Sequence, residues 1–318
     1  TITTNEVVRA LELAKASHLT SDHYLVSAVP LGFELDDAPE WVLNPIRMSA
    51  QSMTGHYHLM MLPISTMQNL DRALKGANIG VERMVISSLA TAEASLLKDE
   101  REYGVCLVDI GAGTTNVAVY LDGRLAMTHT LQRGGEHVTR DIAAVLQTTT
   151  EEAERIKLLY GCVDLKVVKP DHMIQFQGID GPQTISRIEL TEIIIARYEE
   201  VLGLVREVLE GNGAIHGLYH GVVLTGDASQ IEGMVSFARK ALGVSAHLGN
   251  PPVQVHAEEQ NQAALRRSQY ATAAGLLMFS QSDAQDTIAE QEDPERLSVM
   301  QRVKRAWSGF NETLKSIF

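Results

Sequence analysis

An α/β fold is predicted by three observations in the 318 residues. The first is a Gly-rich turn, Asp109-Ile-Gly-Ala-Gly-Thr-Thr-Asn116, set between the strand-like runs Val105-Cys-Leu-Val108 and Val117-Ala-Val-Tyr-Leu121. The second is Gly221-Val-Val-Leu224, a buried-type strand that runs into Thr225-Gly226 and then a helical pattern from about Gln230 to Leu242. The third is composition: 45% hydrophobic residues suffice for a sizeable core, and the length accommodates two or three subdomains.

The elements follow in order. From Asn5 to Lys15, Val7, Val8, Leu11 and Ala14 recur at helical spacing, with Thr4 as N-cap. Tyr24–Leu35 and Tyr57–Ile64 alternate as strands. Ser65–Ala77 carries Met67, Leu70, Ala73 and Leu74 on one helical face, and Val81–Ile86 reads as a third strand. Residues 1–86 are therefore expected to form a small α+β subdomain. A connecting helix at Leu89–Lys98 and the boundary Glu100-Arg101-Glu102 precede a new domain near Tyr103. Beyond the hairpin come a Gly134-Gly135 turn and helices at about Glu136–Leu146 and Glu151–Leu159. Residues 163–214 are expected to hold strands near Val163–Val168 and Ile185–Glu189, a turn at Gly178/Gly181-Pro182, and a long helix from about Thr191 to Glu210. Ala263–Phe279 is mostly apolar and helical, and folded structure is expected to end there.

The last forty residues change character twice. Between Ser280 and Ser298 six acidic residues (Asp283, Asp286, Glu290, Glu292, Asp293, Glu295) face one Arg296, the composition of a disordered acidic linker. Residues 299–318 then place Val303, Trp307, Phe310, Leu314 and Phe318 on one helical face, with Arg302, Lys304, Arg305 and Lys315 beside or opposite it. A basic amphipathic helix on a tether suits an anionic lipid surface. Docking on the protein's own core or on another chain is the competing reading.

A formal net charge of −13 argues against nucleic-acid binding, which needs clustered Lys and Arg. Two cysteines, Cys106 and Cys162, without a CxxC pair or a signal peptide, point to a reducing cytosolic compartment. No run of 18 apolar residues spans a membrane. The chain opens at Thr1 in a helix-like stretch without an initiator Met, from which a preceding portion is expected.

Chemistry concentrates in the turns. Gly111 and Gly113 let backbone N–H groups approach phosphate oxygens with no Cβ in the way, Thr114 and Thr115 offer hydroxyls, and Asp109 can hold a divalent cation through water. Read alone, the segment is equally an ordinary Gly-rich β-turn. Gly111-x-Gly113 also matches part of the dinucleotide fingerprint. That fingerprint must open a helix, whereas Asp122-Gly123 closes a hairpin, so the Rossmann reading fails. Leu224-Thr-Gly-Asp-Ala-Ser-Gln-Ile-Glu-Gly233 lets a base or ribose lie against backbone at Gly226, Asp227 and Ala228; by itself it is a generic strand-turn-helix element. Arg133-Gly134-Gly135-Glu136 offers a second helix N-terminus for phosphate. Glu154 and Lys157, at i and i+3, either flank a ribose or form a solvated ion pair. His56 and His58 stand beside no carboxylate cluster, so no metal site is expected there; Met53, Met60, Met61 and Met67 read as core fillers. No nucleophile-base arrangement is visible.

Two phosphate-type turns and a base-type turn, in this order around α/β segments, resemble the nucleotide cleft of the actin/Hsp70/sugar-kinase superfamily. Within it the chain resembles the FtsA family of bacterial cell-division proteins. The resemblance runs through Asn44-Pro-Ile-Arg-Met-Ser49, Asp99-Glu-Arg-Glu102, the Asp109 hairpin, Gly134–Asp141, Glu152-Ala-Glu-x-Ile-Lys157 with Tyr160-Gly-Cys162, Leu224–Gly233 and the terminal helix. It implies an actin-like fold incomplete at the N-terminus: a 1C-type subdomain at 1–86, a remnant of 1A at 87–102, domain 2A at 103–160 and 216–279, and 2B at 161–215. It further implies ATP with Mg2+ as cofactor, self-association into filaments, capture of the C-terminal peptide of the tubulin homologue FtsZ by 2B, contacts with other division proteins through the 1C-type subdomain, and peripheral location on the cytoplasmic face of the inner membrane. Arg197 and Glu200 are candidates for peptide capture. Asp227 departs from the second Gly usual in the family's adenosine turn, and the family's first phosphate hairpin lies upstream of Thr1; weak or no ATP affinity is therefore expected of these residues alone. The alternatives are a phosphotransferase or ATPase of the same superfamily and a type IV pilus actin-like adaptor. Both lack a reason for the terminal helix.

Overall fold

The structure is a computed structural model, and it describes residues 1–36, 38, 40–81, 84–251 and 267–279. The linker expected at 280–298, the amphipathic helix expected at 299–318 and residues 263–266 of the helix expected from Ala263 lie outside the described residues; that last helix starts later than expected, since Arg267 is extended, Ser268–Tyr270 form a 3-10 turn and the α-helix begins at Ala271.

Helix α1 (Thr4–His18) opens the chain, capped by Thr3 rather than Thr4: the Thr3 hydroxyl accepts from the Asn5 amide, and Glu6 accepts from the Thr3 amide at 2.7 Å. Strands β1 (His23–Leu35) and β2 (Met53–Pro63) pair as a two-stranded sheet, followed by α2 (Ile64–Gly76). Among the described residues no third strand joins them. Val81 is exposed and residues 84–86 carry no strand before α3 (Ser87–Ser95). The connecting helix divides at Leu96-Leu97 into α3 and α4 (Lys98–Tyr103). Glu100-Arg101-Glu102, expected as a boundary, is helical; buried Glu100 turns back to accept from the Leu97 amide at 2.7 Å. Of the four methionines expected in the core, only Met60 is buried, and Met53, Met61 and Met67 are half-buried.

The rest of the chain is built on strands β3 (Val105–Ile110), β4 (Thr115–Leu121), β5 (Arg124–Leu131), β8 (Val222–Thr225) and β9 (Ala246–Leu248). They form one sheet in the order β5-β4-β3-β8-β9. Its left half is an antiparallel meander whose β4–β5 turn, Asp122-Gly123, has φ of 50° and 76°, the two positive values a type I′ hairpin requires. Its right half is parallel: β8 pairs with β3 and β9 with β8. Helices α5 (Gly135–Leu146), α6 (Thr150–Tyr160), α7 (Arg187–Gly211), α8 (Met234–Leu242) and α9 (Ala271–Phe279) accompany it. The core joins Val108, Ile110, Val117 and Leu224 of the sheet to Ile142, Ile156, Ile194 and Leu202 of the helices.

A second small hairpin, β6 (Met173–Gly178) with β7 (Gly181–Ser186), pairs Gly178 with Gly181 across the expected turn. The strand expected at Val163–Val168 does not form. Asp164 instead accepts from the Lys166 amide at 3.0 Å in a local turn, and Leu165 and Val167 are exposed. The strand expected at Ile185–Glu189 ends at Ser186, where a capping box with Glu189 starts α7 four residues earlier than its apolar periodicity suggests.

By density of contact the described residues group into two units. One holds Thr1–Thr20 and Ala28–Tyr57, the other Ser21–Ser27 and the residues from His58 onward. In the first, Ile2, Val7, Phe33 and Leu35 form a small core, with Phe33 edge-on to Tyr57 at 6.0 Å.

Candidate functional site

Parallel pairing of β3 with β8 sets Asp109 opposite Thr225, so the turns that follow these two strands emerge side by side at the sheet's carboxyl end. Antiparallel pairing sets Asn116 opposite Asp109 on the other flank. Asp109 is 8% exposed and lies between them, with the Thr91 hydroxyl 3.3 Å from its Oδ2. Burial raises its pKa above the ordinary carboxylate value, and hydrogen bonds from Thr91 and Asn116 oppose the rise. A buried carboxylate at the mouth of a turn suits a cation or a bound water.

Gly226 closes over this carboxylate. Its φ is +85°, and a Cβ there would stand 2.5 Å from Asp109 Oδ1 and 2.4 Å from the Ile110 carbonyl oxygen. Only glycine lets the two turns meet so closely. Gly134 and Gly135 make the same approach to the hairpin: a Cβ on Gly134 would be 2.6 Å from the Gly111 and Ala112 carbonyl oxygens, and one on Gly135 would be 2.8 Å from the Ala228 Cβ. Hairpin, Gly134-Gly135 and Gly226–Ala228 are thus brought into contact.

Beneath Gly135, Lys157 donates to the Gly135 carbonyl at 3.2 Å, to the Thr139 hydroxyl at 2.8 Å and to Glu154 at 2.7 Å, while Thr139 itself bonds to Glu154. Lys157 is the more buried of the pair, 13% exposed against 42% for Glu154. The two are therefore an ion pair built into the turn. On the other side, the buried Tyr198 of α7 donates its hydroxyl to the Ala228 carbonyl at 2.7 Å. Burial pushes that phenol's pKa up, and the negative charges of Glu154 and Asp227 add to the effect.

Two expected roles are altered. The helix N-terminus at Gly134–Glu136 is already satisfied, because the Gly135 and Glu136 amides donate to the Gly111 and Ala112 carbonyls at 2.9 and 2.8 Å. Thr115, fully buried, spends its hydroxyl on the Arg133 carbonyl at 2.8 Å and is not a free donor. What the hairpin presents outward is its tip: Ala112 and Gly113 are exposed, Thr114 is half-buried, and no acceptor among the described residues pairs with the Ala112 and Gly113 amides. Asp227 is exposed, begins a 3-10 turn (Asp227–Gln230) and has no positive φ, so its Cβ introduces no backbone strain where a second glycine was expected.

Thr91, Thr139 and Tyr198 belong to this constellation and were not anticipated. Thr139 sits four residues after Gly135, a spacing that a helix stacks on one face, and that signal was available. Tyr198 stands in a long apolar helix and looks like any core residue. Arg197 and Glu200, expected on a solvated face, are tied down: Arg197 chelates Asp141 at 2.5 and 2.8 Å and also pairs with Glu200, which in turn meets Arg133 at 3.2 Å. Of the two histidines, His56 stacks on Trp41 at 3.9 Å with Glu34 at 3.4 Å, and His58 meets the Thr128 hydroxyl at 2.9 Å.

Residues 106–275, which contain every turn described above, match the family Cell division protein FtsA. The chain is 31% identical over 313 residues to cell division protein FtsA of Escherichia coli, covering 96% of this chain and 73% of that protein. Among solved structures, the PilM-PilN type IV pilus biogenesis complex superposes with a TM-score of 0.60 at 18% identity, over 88% of this chain and 73% of that one. MreB5 of Spiroplasma citri, bound to ADP, gives 0.57 at 16% identity, over 69% and 66%. At such identities these two speak for the fold alone. The fold is actin-like, and the chain belongs to the FtsA family of cell division proteins.

Proposed function

We propose that this chain is an actin-like, ATP-binding cell-division adaptor that holds the ring of the tubulin homologue FtsZ at the inner face of the cytoplasmic membrane and recruits other division proteins. One feature of the sequence supports the membrane part: in residues 299–318, Val303, Trp307, Phe310, Leu314 and Phe318 recur at helical spacing, interleaved with Arg302, Lys304, Arg305 and Lys315. No helix among the described residues is long and apolar enough to cross a membrane. In this reading the interfacial helix at 299–318 supplies the binding. One such helix holds weakly, and self-association into filaments multiplies its effect. Co-sedimentation with vesicles containing anionic lipid, with and without residues 299–318, tests this. Loss of binding on truncation is expected; equal binding by both forms removes the membrane claim.

The turns fit ATP with Mg2+. In this reading Asp109 holds the cation through water, the amides of exposed Ala112 and Gly113 with the Thr114 hydroxyl meet phosphate, and Gly226–Ala228, braced by the Glu154–Lys157 ion pair, form the ribose and base side, with weak affinity expected of these residues alone. When bound, the nucleotide supplies the charge and the acceptors that these groups lack.

For the FtsZ peptide the candidate place is an open groove of about 610 Å³ between α5 and α7, where Val145 and Ile193 offer apolar surface and Arg197 a cation. A peptide carboxylate there competes with Asp141 and Glu200 for Arg197. Arg197→Glu is expected to weaken the peptide at least about tenfold by leaving like charges in contact. Unchanged affinity would place the peptide elsewhere.

A further inference from the structure

Helix α7 faces two ways. Outward, Ile193, Ala196, Arg197 and Glu200 line the groove against Asp141 and Val145 of α5. Inward, the very next residue after Arg197 is Tyr198, fully packed, whose hydroxyl reaches the Ala228 carbonyl at 2.7 Å. Glu200 adds a second link. It pairs with Arg133 at 3.2 Å, and Arg133 directly precedes Gly134-Gly135 and receives the buried Thr115 hydroxyl on its own carbonyl at 2.8 Å. The groove helix therefore has polar contacts with Ala228 of the Gly226–Gln230 turn, which closes over Asp109, and with Arg133, next to the Gly134-Gly135 turn.

The mechanics favour transmission. α7 runs 25 residues from its capping box and buries Ile194, Tyr198, Val201, Leu202, Val205 and Leu209 along one face. A helix so held responds to a load as a body, by small shifts against its neighbours. Ala228 cannot follow a different path from Tyr198 without losing a hydrogen bond from a buried phenol. Charge provides a parallel route. An acidic group entering the groove takes Arg197 from Glu200, and Glu200 is then left to Arg133 alone.

We propose that α7 couples the α5/α7 groove to the Gly134–Glu136 and Gly226–Gln230 turns, so that an occupant of the groove changes the opening free energy of both. Where the turns bind nucleotide, linkage requires the nucleotide and the groove's occupant to alter each other's affinity by the same factor. That second statement rests on the function proposed above; the first concerns the chain alone.

The test uses a groove occupant that needs no partner. Val145 is 61% exposed on the lip of the groove, and both native cysteines are buried, so Val145→Cys can be labelled at one place with a thiol-reactive bimane. Hydrogen exchange is then followed without nucleotide. Labelling is expected to change exchange at 134–136 and 226–230 by several-fold, and Tyr198→Phe is expected to remove most of the change at 226–230. Should Tyr198→Phe fold poorly, Arg133→Gln, on a half-exposed ion pair, is expected to remove the change at 134–136. Unaltered exchange of both turns on labelling would overturn the coupling, as would changes that persist undiminished in both variants. Failure of the nucleotide reading shows separately, as absence of any response to Mg-ATP.

Discussion

Gly226 and Asp109 hold each other in place. Because φ at Gly226 is +85° and any Cβ would meet Asp109 Oδ1 at 2.5 Å, Gly226→Ala is expected to cost about 1–3 kcal/mol, read as a lower urea midpoint with an unchanged slope. Asp109 itself is expected to reduce stability at neutral pH. Its folded pKa is raised by burial, so the ionised form is penalised, and stability falls as pH rises from the unfolded value of 3.8 through the raised folded value. Asp109→Asn is therefore expected to raise Tm at pH 7.5, with the gain fading below the unfolded pKa, while Mg-nucleotide binding is lost. A Tm lower than wild type at pH 7.5 would mean that the bonds from Thr91 and Asn116 outweigh burial. The glycines of the site were legible in the sequence because a close approach of backbones admits no other residue. Tyr198 and Thr91 were not, since their site partners Ala228 and Asp109 lie on other elements and their own neighbourhoods look like ordinary helix; Thr139 carried only its helical spacing from Gly135.

At the scale of elements, apolar periodicity located every long helix, and errors fell where local polar chemistry decides. The start of α7 is set by Ser186 and Glu189, which satisfy each other's amides at 3.1 Å. Ser186→Ala is expected to cost about 1 kcal/mol, measurable as a shift in thermal midpoint, and to raise hydrogen exchange in the first turn of α7. No change in either would show that packing alone starts the helix. The apolar residues of 163–168 look like a strand, yet Asp164 turns the chain there. β6 was overlooked although Ile174, Phe176 and Gly178 alternate inward with exposed Met173, Gln175 and Gln177, because its outward face is rich in glutamine. Residues 84–86 show the converse: strand-like composition does not by itself make a strand.

For the molecule as a whole, the order of turns along the chain was more informative than any one of them. A Gly-rich hairpin and a Gly turn far apart in sequence become neighbours only because β3 and β8 are adjacent and parallel, and a parallel register of Asp109 with Thr225 leaves both loops at one end. Neither spacing nor composition specifies that pairing; the resemblance to a known cleft did. The central claim is that the outward tip of the hairpin and the Gly226–Ala228 turn form one nucleotide-binding surface. Because only weak affinity is expected of these residues alone, hydrogen exchange with and without Mg-ATP raised to millimolar concentration tests it most directly. Slowed exchange is expected at 112–114 and 226–229 in the wild type and at neither in Asp109→Asn; no protection at either turn, or equal protection in the variant, would contradict it.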